Sequence, residues 1–145
     1  MPVAYHNRRR RRELPFGYAE TRLALAERSD VLMVCCPGGA GTRHIVDRAV
    51  LRALGPGGLV VNLGRGSSID EAALMEALQA GEIGGAGLDV FEAEPAVPEA
   101  LLACRNVVLA PHRGGTRETW RETAAIIIAN LRAFFRGEAL PNPIP

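Results

Sequence analysis

Four short runs, "DVLMVCCP" (30–37), "LVVNLG" (59–64), "GGAGLDVF" (strand at about 86–90) and "NVVLAPH" (106–112), are small or apolar at most positions, with glycine, proline or polar residues at their ends. Runs this short, with no polar alternation, read as strands covered on both faces, as in a parallel sheet flanked by helices. Between them, "DRAVLRAL" (47–54) and "DEAALMEALQAG" (70–81) carry apolar residues at helical spacing, and Gly81 ends the second. Ahead of them, "PVAY" (2–5) reads as a strand, and "TRLALAERSD" (21–30) as a short helix closing near Ser29. Strand and helix alternate, so the expected fold class is α/β, a doubly wound parallel sheet with right-handed crossovers.

The final helical pattern is the longest. Trp120, Ala124, Ile127, Ile128, Leu131, Phe134 and Phe135 make one wide apolar stripe, Gly137 stops it, and the proline-rich tail cannot continue it. A chain of 145 residues fits one domain, expected over 1–137, with a tail at 138–145. The net charge of +1 argues against a polyanion binder, although five arginines stand together from Arg8 to Arg12. Without aromatic interleaving that run does not read as a nucleic-acid arm. No stretch has the roughly 18 consecutive apolar residues of a membrane span. Cys35, Cys36 and Cys104 have no metal-ligand spacing and lie in apolar surroundings; they are expected to be buried, reduced thiols at a cytoplasmic address, and no metal site is expected.

In open parallel sheets ligands bind beyond the carboxyl ends of the strands. Arg65, Asp89, Glu94 and His112 all fall there. Arg65 lies between Gly64 and Gly66, glycines that permit unusual backbone angles and close approach of a ligand, and its guanidinium can grip a carboxylate through two parallel hydrogen bonds. Ser68 and Glu71 have capping-box spacing just beyond it. His112 is suited to proton transfer near neutral pH, and a carboxylate such as Glu94 beside it would favour its charged form. Taken singly, each also reads as an ordinary loop or strand-end residue.

As an ordered set, "NLGRGSSIDEAALMEAL", "GAGLDVFEAEP" and "VVLAPH" resemble three signature segments of the D-isomer-specific 2-hydroxyacid dehydrogenases, closest to their hydroxypyruvate/glyoxylate reductase branch. The resemblance implies a Rossmann-like dinucleotide-binding domain. It implies that Arg65 holds the substrate carboxylate and keto oxygen, that His112 protonates that oxygen during hydride transfer, and that Glu94 keeps His112 protonated. Asp89 matches the residue that contacts the nicotinamide carboxamide, and Cys36 and Pro37 lie in the loop that runs past the cofactor. Asn62, Gly64 and Gly114 complete the cofactor-binding candidates. The substrate implied is a small 2-keto or 2-hydroxy acid such as hydroxypyruvate or glyoxylate, and the full-length form is implied to be a homodimer.

Within that frame the end of "PVAY" meets the adenosine ribose. Asn7 stands where an acidic residue would favour NAD, and Arg8 or Arg9 can pair with a 2′-phosphate, so NADP is the preferred cofactor, with NAD the alternative. The family's first strand and its glycine-rich phosphate loop have no counterpart, so the fold is expected to be incomplete at its N-terminus, and the isolated chain weak in activity. Two other readings stand beside the enzyme: a non-catalytic dinucleotide-binding or interaction module, and an inactive truncated remnant.

Overall fold

A computed structural model describes residues 1–110, 112–113 and 116–143. The chain divides into two compact units, Met1–Pro111 and His112–Pro145. The first holds β1 (Ala4–Tyr5), β2 (Gly17–Tyr18), α1 (Arg22–Ala26), β3 (Val31–Val34), α2 (Arg48–Leu54), β4 (Leu59–Asn62), α3 (Glu71–Gln79), β5 (Gly85–Leu88), α4 (Glu99–Leu102) and β6 (Val107–Leu109). The second holds α5 (Arg117–Arg136). Strands β3–β4–β5–β6 form a parallel sheet in sequence order, and β1 and β2 form a separate parallel pair. The class is the expected one, parallel sheet with helical connections.

Short polar side chains start the helices. Thr21, Asp47, Asp70 and Thr116 each accept a hydrogen bond from the backbone N–H three residues on, satisfying a donor that the first turn leaves unpaired. Ser68 does not form the anticipated capping box with Glu71. It ends a 3-10 turn (Gly66–Ser68), Asp70 is the cap, and the Glu71 side chain turns elsewhere. Gly81 follows α3 at φ 68° and Gly137 closes α5 at φ 67°, the left-handed conformation that favours glycine. The strand β2, the short α4 and the 3-10 turns Ala40–Thr42 and Gly66–Ser68 have too few residues for a periodic signature in the sequence.

In-register pairing sorts the sheet into two faces. Leu32, Val60 and Ala86 share one row with Val107, and Val34, Asn62 and Leu88 share the next with Leu109. This face carries the core, joined by Val50, Leu51 and Leu54 of α2 and Leu74, Ala77 and Leu78 of α3. The intervening rows hold Val31 and Leu59, then Met33 and Val108, and all four are exposed. The expectation of burial on both faces is therefore corrected. The strands are apolar throughout, but burial alternates along them because α2 and α3 supply core side chains to one face only.

The cysteines are also corrected in part. β3 ends at Val34, so Cys35 lies past the strand and is exposed, whereas Cys36 and Cys104 are partly buried against the core. All three are unpaired thiols. Arg48 binds Glu76 and Glu82, and Arg52 also reaches Glu82, tying α2 to α3 and the turn after it.

In the second unit the expected stripe is present but exposed, with Ile128 at 48% and Phe135 at 81%. The tail folds back along α5, where the Asn142 N–H donates to Asn130 Oδ1 at 3.1 Å. No helix among the described residues is long and apolar enough to cross a membrane.

Leu74 is fully buried between α3 and the sheet. Leu74→Ala is expected to lower unfolding stability by about 2–5 kcal/mol, whereas Trp120→Ala, at an exposed position, should change it by less than about 0.5 kcal/mol. Urea denaturation followed by circular dichroism checks both.

Candidate functional site

The carboxyl ends of β3, β4 and β5 lead into three loops, and two glycines bring the loops together. Neither Gly64 nor Gly66 has a positive φ, so the flexibility anticipated for them is not what they supply. A Cβ on Gly64 would stand 2.6 Å from the Cys36 carbonyl oxygen, and one on Gly66 would stand 2.0 Å from the Phe91 carbonyl. The loop after β4 thus touches the loops after β3 and β5 backbone to backbone, and the neighbours are too rigid to make room for a side chain.

Asn62, at the end of β4, is fully buried. Its Nδ2 donates to the Arg65 carbonyl oxygen at 3.0 Å, and its Oδ1 accepts from the Gly64 N–H at 3.0 Å. Both ends of the side-chain amide therefore hold the turn. Arg65 rides on that turn in extended conformation and is exposed, with Nη1 donating to the Gly64 carbonyl at 2.8 Å. Gly38 lies against its aliphatic stem. Cys36 contributes backbone to this meeting of loops and its thiol approaches Ser68 Oγ at 3.4 Å, while Pro37 is exposed. The Asp89 N–H donates to the Asn62 carbonyl at 3.1 Å, which sets the partly buried Asp89 at the same end of the sheet.

Glu94 is exposed on the loop after β5, and its Oε1 accepts from the Phe91 N–H at 3.0 Å, closing a tight turn. The Glu94–Pro95 peptide is cis. The turn is held from behind by Glu71, which its spacing suggested only as a helix-cap partner, and by residues that sequence reasoning passed over. Glu71 Oε1 accepts from the Glu92 N–H at 2.7 Å. Glu92 Oε1 receives Arg43 Nη2 at 2.8 Å and His44 Nε2 at 3.0 Å. The backbone beside His44 runs along the 3-10 turn, with the His44 N–H donating to Ser67 and the Val46 N–H to Ser68. Burial raises the Glu71 carboxyl above its ordinary value, nearby Glu92 and Glu94 push the same way, and the Glu92 N–H pulls against them.

His112 opens the second unit at φ 47° and is exposed. Gly114 lies outside the described residues. Within the first unit, Asn62, Gly64, Arg65, Cys36 and Asp89 come together, and the Glu94 turn packs on Gly66.

Asn7, Arg8 and Arg9 are exposed after β1, and Asn7 Oδ1 accepts from the Arg8 N–H at 2.8 Å. The arginine run is a built turn. Tyr5 Oη pairs with both the N–H and the carbonyl of Arg11, Tyr18 Oη donates to the Asn7 carbonyl, and Arg10 sits 5.6 Å from the centre of the Tyr18 ring. Beside it lies a cleft of about 240 Å³ lined by Tyr5, Arg10, Arg11, Arg12, Leu14 and Phe16.

A parallel sheet with helical connections and polar residues past its strand ends has the architecture of the nucleotide-binding α/β class. Residues 1–114 match the profile described as D-isomer specific 2-hydroxyacid dehydrogenase, NAD binding domain, and the chain belongs to that family. It is 47% identical over 144 residues to glyoxylate/hydroxypyruvate reductase A of Arabidopsis thaliana, covering 99% of this chain and 46% of that one. It is 46% identical to the hydroxyphenylpyruvate reductase of Plectranthus scutellarioides, again over 99% and 46%. The NADPH-dependent glyoxylate/hydroxypyruvate reductase of Sinorhizobium meliloti, solved with NADP and malonate, superposes with a TM-score of 0.89 at 47% identity, over 99% of this chain and 45% of that one. The chain spans just under half the length of these relatives.

Asn62→Ala is expected to cost about 1–3 kcal/mol, because it leaves the buried turn without its partners. A separate prediction follows from Glu71. Its folded-state pKa lies above the unfolded value, so the fold binds the proton more tightly, and stability falls as pH rises from about 4.5 through the raised value. Glu71→Gln removes that titration. The urea midpoint of the variant relative to wild type should rise across this window and then level off.

Proposed function

We propose that this chain is the cofactor-binding part of an oxidoreductase that transfers hydride between NADPH and a small 2-keto or 2-hydroxy acid such as hydroxypyruvate or glyoxylate. The observation that carries the reading is the exposed Arg65 guanidinium, presented past the end of β4 on a turn fixed by the buried Asn62. A planar cation so fixed suits the carboxylate of an α-keto acid. The membership of the chain in a dehydrogenase family and its 47% identity to an NADPH-dependent reductase support the same reading.

The cofactor, when bound, supplies the hydride. Arg65 orients the acid by its carboxylate and draws electron density toward the keto oxygen. His112 is assigned the donation of the proton that this oxygen takes up, and Glu94 the carboxylate of the acid–base set. Asp89 would accept a hydrogen bond from the nicotinamide carboxamide, Cys36, Pro37 and Gly64 would line the cofactor's approach, and Gly114 is a further cofactor-binding candidate. Asn7 in place of an acid, followed by Arg8 and Arg9, supports NADP over NAD: an arginine can pair with the 2′-phosphate that a carboxylate would repel. The unpaired thiols support a cytoplasmic address, and the exposed stripe of α5 supports a homodimer in the full-length form.

The match of residues 1–114 to an NAD binding domain supports a second reading as well, a module that binds dinucleotide without turnover. His112→Ala separates the two in a full-length relative into which this chain is grafted. Reduction falling by about 100-fold or more, with NADPH affinity kept, is the outcome expected of an acid–base histidine. Unchanged reduction rejects that role. In a fluorescence titration of the 145-residue chain itself, NADPH should bind more tightly than NADH, and Arg8→Ala with Arg9→Ala should remove the difference.

A further inference from the structure

Glu71 sits at the start of α3, where a carboxylate ordinarily serves its own helix. Asp70 already caps that helix, and the Glu71 side chain is buried, 8% exposed, directed across to the loop after β5. There it accepts the Glu92 N–H at 2.7 Å, and the preceding N–H, that of Phe91, goes to Glu94 Oε1 at 3.0 Å. Two successive amides of one turn are thus held by two glutamates, one from outside the turn and one from within it. Phe91 is itself buried, 4% exposed, and its carbonyl rests on Gly66, the residue after Arg65. The Glu92 side chain is anchored separately by Arg43 and His44.

We propose that Glu71 is a positioning residue: its carboxylate fixes the Phe91–Glu94 turn against the Arg65 loop and thereby sets where the Glu94 carboxylate stands. The inference rests on the reading of Glu94 as part of the acid–base set. It adds a residue outside that set which determines the set's geometry. Gln at this position keeps an acceptor oxygen of nearly the same reach, whereas Ala keeps none. A burial role alone would favour Ala or Leu as well as Gln; a positioning role favours Gln only.

The test uses the full 145-residue chain, labelled with nitrogen-15 and carbon-13. In wild type, a scalar coupling across the hydrogen bond is expected between the Glu92 amide nitrogen and the Glu71 carboxyl carbon. In Glu71→Ala, the Glu92 amide should exchange with solvent about tenfold faster or more, as loss of one hydrogen bond to a charged acceptor implies, and the Phe91 amide resonance should move with it. Glu71→Gln should restore both amides. Absence of the coupling in wild type, an unmoved Phe91 amide in Glu71→Ala, or failure of Gln to restore it overturns the proposal. If Glu71→Ala does not fold, the coupling and the Gln variant still decide. The amide readout is independent of turnover, so the reading of Glu94 fails separately: Glu94→Gln leaving reduction unchanged in the grafted full-length enzyme would reject it, whatever the amides show.

Discussion

The site depends on backbone meeting backbone where β3, β4 and β5 end. Gly64 lies against the Cys36 carbonyl and Gly66 against the Phe91 carbonyl, at separations where no Cβ fits. The arrangement of the loops around Arg65 follows from these two contacts. They bring the loop after β3 beside Arg65, and they set the turn that carries Glu94 against Gly66. A side chain at either position would force the two loops apart. Overpacking of this kind, against main chain instead of a flexible side chain, costs about 1–3 kcal/mol and usually more than stability alone.

Polar side chains then turn contact into fixed geometry. Asn62 is the clearest, fully buried with both halves of its amide bonded to the Arg65 turn. Glu71 does the corresponding work for the neighbouring turn, and Arg43 and His44 hold Glu92 beside it. A buried group left without its partner costs more than the net value of the bond it makes. Such groups therefore hold one arrangement of the turns and penalise alternatives. The exposed residues, Arg65 and Glu94, rest on them.

Much of this was legible in the sequence, and the parts that were not have physical reasons. The apolar runs identified the parallel strands, because a sheet core needs them whatever the ligand. Arg65, Asp89 and Glu94 were visible as polar residues just past such runs. The two-residue strand β2 and the four-residue α4 are shorter than any period they could display. Uniform apolarity suggested two covered faces, but it cannot tell which row of a strand meets a helix, and Val31, Met33 and Val108 are exposed. Glu71 was visible, three residues after Ser68, yet the spacing that suggested a capping box cannot distinguish a glutamate bonded to its own helix from one reaching across to Glu92. His44 and Glu92 carry no local pattern at all, since 48 residues separate the pair in sequence.

The central claim is that these strand ends form one dinucleotide and keto-acid site. Mapping amide resonances of the labelled chain during titration with NADPH tests it most directly. The account predicts saturable shifts concentrated at Asn7 to Arg9, Cys36, Gly38, Gly64, Arg65 and Asp89, with the Arg65 resonances moving further when oxamate is added. Saturable NADPH binding that leaves these residues unmoved, and perturbs instead the shallow cleft around Thr21, Arg22 and Asp47, would contradict it.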